Sequence, residues 1–123
     1  MSENFSDFNT EIIKLRNIMQ EFVEERNWQK YHQPKELTQA LIIEASELLE
    51  LFLWNNPTIE TIKNDEKLMN CIKSEIADVF AYLISLVNSL DIDLTSAFLN
   101  KMVKNREKYP KEIFKNQNLK KSI

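Results

Sequence analysis

The sequence predicts an all-α fold, arranged as a four-helix bundle, and three observations carry that expectation. Glycine is absent from all 123 residues, where average usage of about 7% would supply roughly nine. Leu, Ile, Glu, Lys and Ala dominate, and only Pro34, Pro57 and Pro110 interrupt the chain, so long helices are permitted and breaks are expected near those positions. Apolar residues recur at steps of three and four rather than alternating. The missing glycines also exclude chemistry. Phosphate-cradling loops, dinucleotide fingerprints, nucleophile elbows and EF-hand loops all place glycine where the backbone takes a positive φ or closely approaches a ligand. If this protein handles phosphates, it must do so with side chains, alone or with metal ions, rather than with a glycine-rich backbone nest.

A first helix is expected over residues 7–27, where Phe8, Ile12, Leu15, Met19 and Phe22 line one face and Ser6 or Asp7 suits the N-cap. An aromatic connector, Trp28-Gln29-Lys30-Tyr31-His32-Gln33-Pro34, follows. Its proline fits the first turn of a second helix running to about Trp54. That helix carries Leu37, Leu41, Ala45, Leu48 and Phe52 on its main stripe, but Ile42, Ile43, Leu49, Leu51 and Leu53 make it apolar nearly all round. Such a helix is buried on several sides, in a bundle or an oligomer interface. Asn55-Asn56-Pro57-Thr58 ends it, and residues 58–66 form the one long connection, with room for a single helical turn. A third helix over residues 67–90 has Leu68, Ile72, Val79, Leu83 and Leu86 inward, and Asp91-Ile92-Asp93 breaks it. Asp93 then caps a fourth helix that runs to about Lys108, where Tyr109-Pro110 stops it. Residues 1–110 are expected to be one domain, and 111–123 a loosely ordered, polar, basic tail.

Cys71 is the sole cysteine, so an internal disulfide is excluded and a reducing cytoplasm is the expected compartment. The N-terminal residues lack a basic region followed by an apolar stretch, and the longest apolar run, residues 79–87, is too short to span a bilayer, so neither export nor membrane insertion is expected. Net charge is −3, yet residues 1–100 carry eight basic and 17 acidic side chains while residues 101–123 carry eight basic and two acidic. The basic end suits one polyphosphate or plain solvation as well as nucleic acid. Nucleic-acid binding would leave the acids described next unexplained, and no nucleic-acid partner is expected.

Those acids are Glu44 and Glu47 on the second helix and Glu75 and Asp78 on the third. Each pair is three residues apart and so shares a helix face. Their neighbours are apolar, with Leu41, Leu48 and Leu51 about the first pair and Ile76, Ala77, Val79 and Phe80 about the second. A bare buried carboxylate costs several kcal/mol or takes up a proton, and the only nearby cation in these stretches is Lys73. A divalent cation resolves the conflict, and all-oxygen ligands select Mg²⁺ or Mn²⁺. A di-iron bundle needs Glu-x-x-His pairs, and His32 is the sole histidine. Glu50 continues the three-residue step from Glu47, a place from which it either assists the cluster or takes an outer or surface role. The competing reading is a non-catalytic helical interaction module whose acids pair with a partner's cations.

The residues that carry this chemistry resemble the MazG-like all-α nucleoside triphosphate pyrophosphohydrolases. Glu44-x-x-Glu47 followed by Glu75-x-x-Asp78 matches the family's acid signature. Arg26-Asn27-Trp28 with Tyr31-His32-Gln33-Pro34, Glu47-Leu48-x-Glu50-Leu51-Phe52-x-Trp54, Asp78-Val79 with Tyr82-Leu83, and Lys101-Met102 with Asn105-Arg106 and Tyr109-Pro110 are similar to the dCTP pyrophosphatase branch. The resemblance implies that Glu44, Glu47, Glu75 and Asp78 hold Mg²⁺ against a triphosphate. It also implies that His32, Trp54 and Tyr82, with Trp28, shape the nucleoside pocket, and that Lys101, Asn105 and Tyr109 reach the substrate. Arg106 joins Lys101 as a phosphate-neutralising cation, and Glu47 is the candidate acceptor of the attacking water's proton. The implied reaction turns a dNTP, dCTP or a modified dCTP foremost, into dNMP and pyrophosphate, in a cytoplasmic homo-oligomer, a dimer or a tetramer built from dimers. One departure stands at Ser46, where the family commonly has glycine between the first two acids.

Overall fold

The computed structural model describes residues 4–115. Among them every regular element is helical: α1 (Ile12–Glu25), α2 (Pro34–Glu50), α3 (Ile59–Lys63), α4 (Glu66–Ser89), α5 (Leu94–Lys108) and α6 (Lys111–Phe114), with a 3₁₀ turn over Gln29–Tyr31. Two compact units divide the chain, Met1–Asp91 and Ile92–Ile123. In the first unit α2 packs along α4, which also receives α1 and α3.

α1 starts five residues later than its apolar spacing suggests. Ser6 is engaged in a tight turn instead: its N–H donates to Asn9 Oδ1 at 2.8 Å and its Oγ accepts from the Phe8 N–H at 3.2 Å. Phe8 is consequently outside the helix and 98% exposed. The inward side of α1 is Ile12, Leu15 and Met19, half-buried, and Val23, buried.

The end of α1 shows what a chain without glycine does at a helix terminus. Asn27 takes φ 54°, its N–H donates to Glu24 O, and the Trp28 N–H reaches back to Val23 O, both at 3.0 Å. These are the paired bonds of a Schellman motif, whose left-handed residue is usually glycine and sometimes asparagine. Asp91 is likewise left-handed after α4, with φ 52°, and its N–H donates to Asn88 O at 3.3 Å. The motif turns the chain so that Trp28 stacks edge-on to Phe22 at 5.7 Å. Replacing Asn27 by Ala is expected to cost about 1 kcal/mol and to lower Tm by about 4 °C, whereas N27G stays near the wild-type value; thermal unfolding followed by circular dichroism checks both.

Pro34 opens α2 at its first position, where a missing N–H costs nothing. α2 ends at Glu50, four residues short of Trp54, because the Leu51, Phe52 and Leu53 N–H groups bond three residues back, to Leu48, Leu49 and Glu50. This tightening winds the helix out ahead of Asn55-Asn56-Pro57. Thr58, Asp65 and Asp93 cap α3, α4 and α5 through side-chain oxygens on the N–H groups of Thr61, Leu68 and Ser96.

The core of the first unit is narrow. Val23 from α1, Leu37 from α2 and Ile84 and Val87 from α4 are buried, and Arg16 and Asn88 tie α1 to α4 with reciprocal bonds of 2.9 and 3.1 Å. The all-round apolar character of α2 remains uncovered within one chain: Ile42, Ile43 and Leu49 are each more than half exposed. In the second unit the expected tail begins with a helical turn, α6, whose Phe114 meets Tyr109 edge-on at 5.4 Å. The remainder of that tail, residues 116–123, lies outside the described residues.

Candidate metal centre and aromatic cavity

The packing of α2 along α4 brings the two acid pairs to one place. Carboxylate oxygens of Glu44, Glu75 and Asp78 all lie within 4.8 Å of one another. Glu47 is exposed but close enough to Glu44 and Glu75 to raise the pKa of both, and the charge of Glu50 also acts on Glu75. Glu44 and Glu75 are half-buried, and the Oε2 atom of each is shielded from water without a hydrogen-bond partner. Among the described residues none of the four acids pairs with Lys or Arg.

The electrostatics follow from this crowding. Glu44 titrates above the ordinary carboxylate range because Glu47 hydrogen-bonds it, because it is partly desolvated, and because Glu47, Asp78 and Glu75 repel its charge. Glu75 is raised by desolvation first, then by the charges of Glu47 and Asp78. Two shielded oxygens with no donor and no counter-charge fit a hard divalent cation, which supplies both.

Ala40 on α2 lies one turn before Glu44 and Tyr82 on α4 one turn after Asp78. Both line a cavity of about 240 Å³ that is also bordered by Trp28, Tyr31, His32, Glu36 and Leu37. Burial lowers the His32 pKa, so the imidazole is neutral at physiological pH. His32 also borders a second cavity of about 390 Å³, among Gln20, Gln29, Gln33 and Ser85. The Ser85 hydroxyl is buried there with no hydrogen-bond partner.

Trp28, His32 and Tyr82 therefore share one cavity. Trp54 does not line it: it sits beyond the end of α2, 90% exposed. Lys101, Asn105 and Arg106 lie on α5 and Tyr109 caps it, all in the second unit. Lys101, Asn105 and Tyr109 recur every four residues and share a face, while Arg106 lies about 140° further round from Lys101. Asn105 is half-buried, its Nδ2 donating to Met102 Sδ at 3.7 Å. Ser46 is exposed and donates its hydroxyl to Ile43 O at 2.7 Å, so its side chain stays on the helix surface. Sequence reasoning passed over Glu36 as a cavity residue, since an acid in the first turn of a helix is ordinary and nothing local announces that the 3₁₀ turn folds against it.

A helical protein that gathers carboxylates between two packed helices, beside an aromatic cavity, is of the all-α class, with a cluster that could hold a metal ion. The MazG-like family matches residues 40–122, and the chain belongs to that family. It is 37% identical over 97 residues to dCTP pyrophosphatase 1 of Mus musculus and 37% identical over 99 residues to dCTP pyrophosphatase 1 of Homo sapiens, matches that cover 78% of this chain and 57% of each relative. The chain thus spans little more than half the length of these curated relatives. Among solved structures it is similar to a pyrophosphatase from Archaeoglobus fulgidus, with TM-score 0.74 and 36% identity over 87% of this chain and 99% of that one.

Proposed function

We propose that this protein is a Mg²⁺-dependent nucleoside triphosphate pyrophosphohydrolase that converts a dNTP, dCTP or a modified dCTP foremost, to dNMP and pyrophosphate. The observation that carries the reading is the adjacency, on one helix pair, of an uncompensated carboxylate cluster and a cavity walled by aromatic rings. Glu44, Glu47, Glu75 and Asp78 would hold the metal, with Mn²⁺ as the alternative ion of the same ligand preference. When bound, a divalent cation neutralises phosphate oxygens and makes water more acidic. Glu47 is exposed and acts on both Glu44 and Glu75, which suits it to accept the proton of the attacking water. Trp28, His32 and Tyr82 suit stacking against a base, and the resemblance adds Trp54 to the nucleoside site. It also assigns Lys101, Asn105 and Tyr109 to substrate binding, and with Arg106 they offer donors and positive charge for phosphate oxygens.

Residues 1–110 would act as the catalytic domain, with 111–123 as its basic tail, in the cytoplasm. The exposed apolar residues of α2, Ile42, Ile43 and Leu49, favour a homo-oligomer, a dimer or tetramer, because a monomer rarely leaves such a row open to water; sedimentation equilibrium reads that state directly. Purified protein with Mg²⁺ is expected to release pyrophosphate and dCMP from dCTP, and to stop when the metal is chelated. Release of orthophosphate alone, or turnover unaffected by chelation, would refute the reading.

A further inference from the structure

We infer that Glu36 is a specificity-determining residue, which selects bases that present an exocyclic amino group; this rests on the nucleotide reading above. At about 240 Å³ the cavity is smaller than the roughly 300–1,000 Å³ typical of drug-sized ligands, a size that suits one flat ring system. Its walls are Trp28, Tyr31, His32 and Tyr82, faces suited to a planar ligand, and Glu36 brings the only carboxylate among its lining residues, which include no Lys or Arg. The imidazole of His32 is neutral through burial, so Glu36 is the single formal charge of the wall.

An ionised carboxylate only accepts hydrogen bonds. The 4-amino group of cytosine donates to it, the same pairing that Asp and Glu make with cytosine N4 in nucleic-acid recognition. Uracil and thymine carry a carbonyl oxygen at that position, and two facing acceptors repel. Selection thus comes from an attractive contact with one base and a repulsive one with the other. Glutamine at this position would turn its amide to donate or accept, and would lose the discrimination. Glu36 also stands in the first turn of α2, where a negative charge complements the helix dipole whatever the ligand.

The test compares kcat/KM for dCTP and dUTP, two substrates of one ring size, in the wild type and in Glu36→Gln, together with calorimetric binding of dCMP and dUMP. The wild type should favour dCTP, and the preference should fall about tenfold in the variant through loss on dCTP, the lower end of what one specific base contact contributes, since Glu36 is exposed. An unchanged ratio, with or without a shift in Tm, leaves Glu36 a helix-dipole residue and overturns the inference while the pyrophosphohydrolase reading stands. If the wild type hydrolyses neither substrate, that reading falls, and the dCMP to dUMP affinity ratio alone decides on Glu36: a ratio that collapses in the variant supports the inference and an unaltered one overturns it.

Discussion

Glu47→Gln and Asp78→Asn are each expected to lower turnover of dCTP by about 10²–10⁴-fold, the range a positioned proton acceptor contributes, with the helical fold retained. The two losses differ in kind. Glu47 is exposed and acts on both Glu44 and Glu75, so its replacement removes a proton acceptor and one oxygen ligand together, and extra Mg²⁺ restores little. Asp78 supplies one of three oxygens lying within 4.8 Å of one another; asparagine keeps an oxygen at that place but removes its charge. The Mg²⁺ concentration for half-maximal rate should then rise at least tenfold, and saturating metal should recover part of kcat. Neither substitution opens a hole or strands a buried cation, because no Lys or Arg pairs with these acids among the described residues. Far-ultraviolet circular dichroism therefore separates the outcomes. Turnover retained in both variants would place the chemistry elsewhere, and turnover lost together with helicity would make the acids structural.

Periodicity and caps are local properties, and the helices they predict are all present. Asp93 caps α5 and Pro34 opens α2 where their residue types direct. Errors fall where two local preferences compete. Ser6 is a good N-cap, but Asn9 captures its N–H and holds residues 6–9 as a turn. The acid pairs were legible because a carboxylate among leucines and isoleucines is costly without a partner, a cost that can be read from sequence. That Glu36 and Tyr31 share a cavity with Tyr82 was not legible, because it depends on how α2 packs along α4 and on the path of the chain through Asn27, in left-handed backbone, into the 3₁₀ turn. Absence of glycine limits the phosphate chemistry available, and it also explains why asparagine and aspartate stand at both left-handed helix ends. At Ser46 the family's glycine is replaced at no visible cost to the helix, since the hydroxyl bonds the Ile43 carbonyl on the exposed surface.

The second large effect is a stability that depends on pH in opposite senses with and without metal. Glu44 and Glu75 both titrate above the ordinary carboxylate range in the folded chain. Below about pH 4, the unfolded value for glutamate, both are protonated in either state and contribute nothing to the balance. As pH rises beyond that value the unfolded chain loses these protons first while the folded chain retains them. Folding then binds more protons than unfolding, so stability falls with rising pH until the folded groups ionise too, and it stays at the lower level above that. Metal-free protein should accordingly lose Tm between mildly acidic and neutral pH, and Glu44→Gln, which removes one of the titrating groups, should flatten that fall. A divalent cation binds the ionised cluster alone. Its effect on Tm should be small near pH 5, where it competes with protons, and large near pH 8. At 100 times its dissociation constant a ligand adds about 2.7 kcal/mol, a Tm rise on the order of 10 °C for a chain of this size. Thermal melts at pH 5 and pH 8, in chelator and in Mg²⁺, read all four corners. An equal metal effect at both pH values would mean that the cation binds somewhere other than between α2 and α4, because among the described residues only there do raised carboxylates compete with it for the same oxygens.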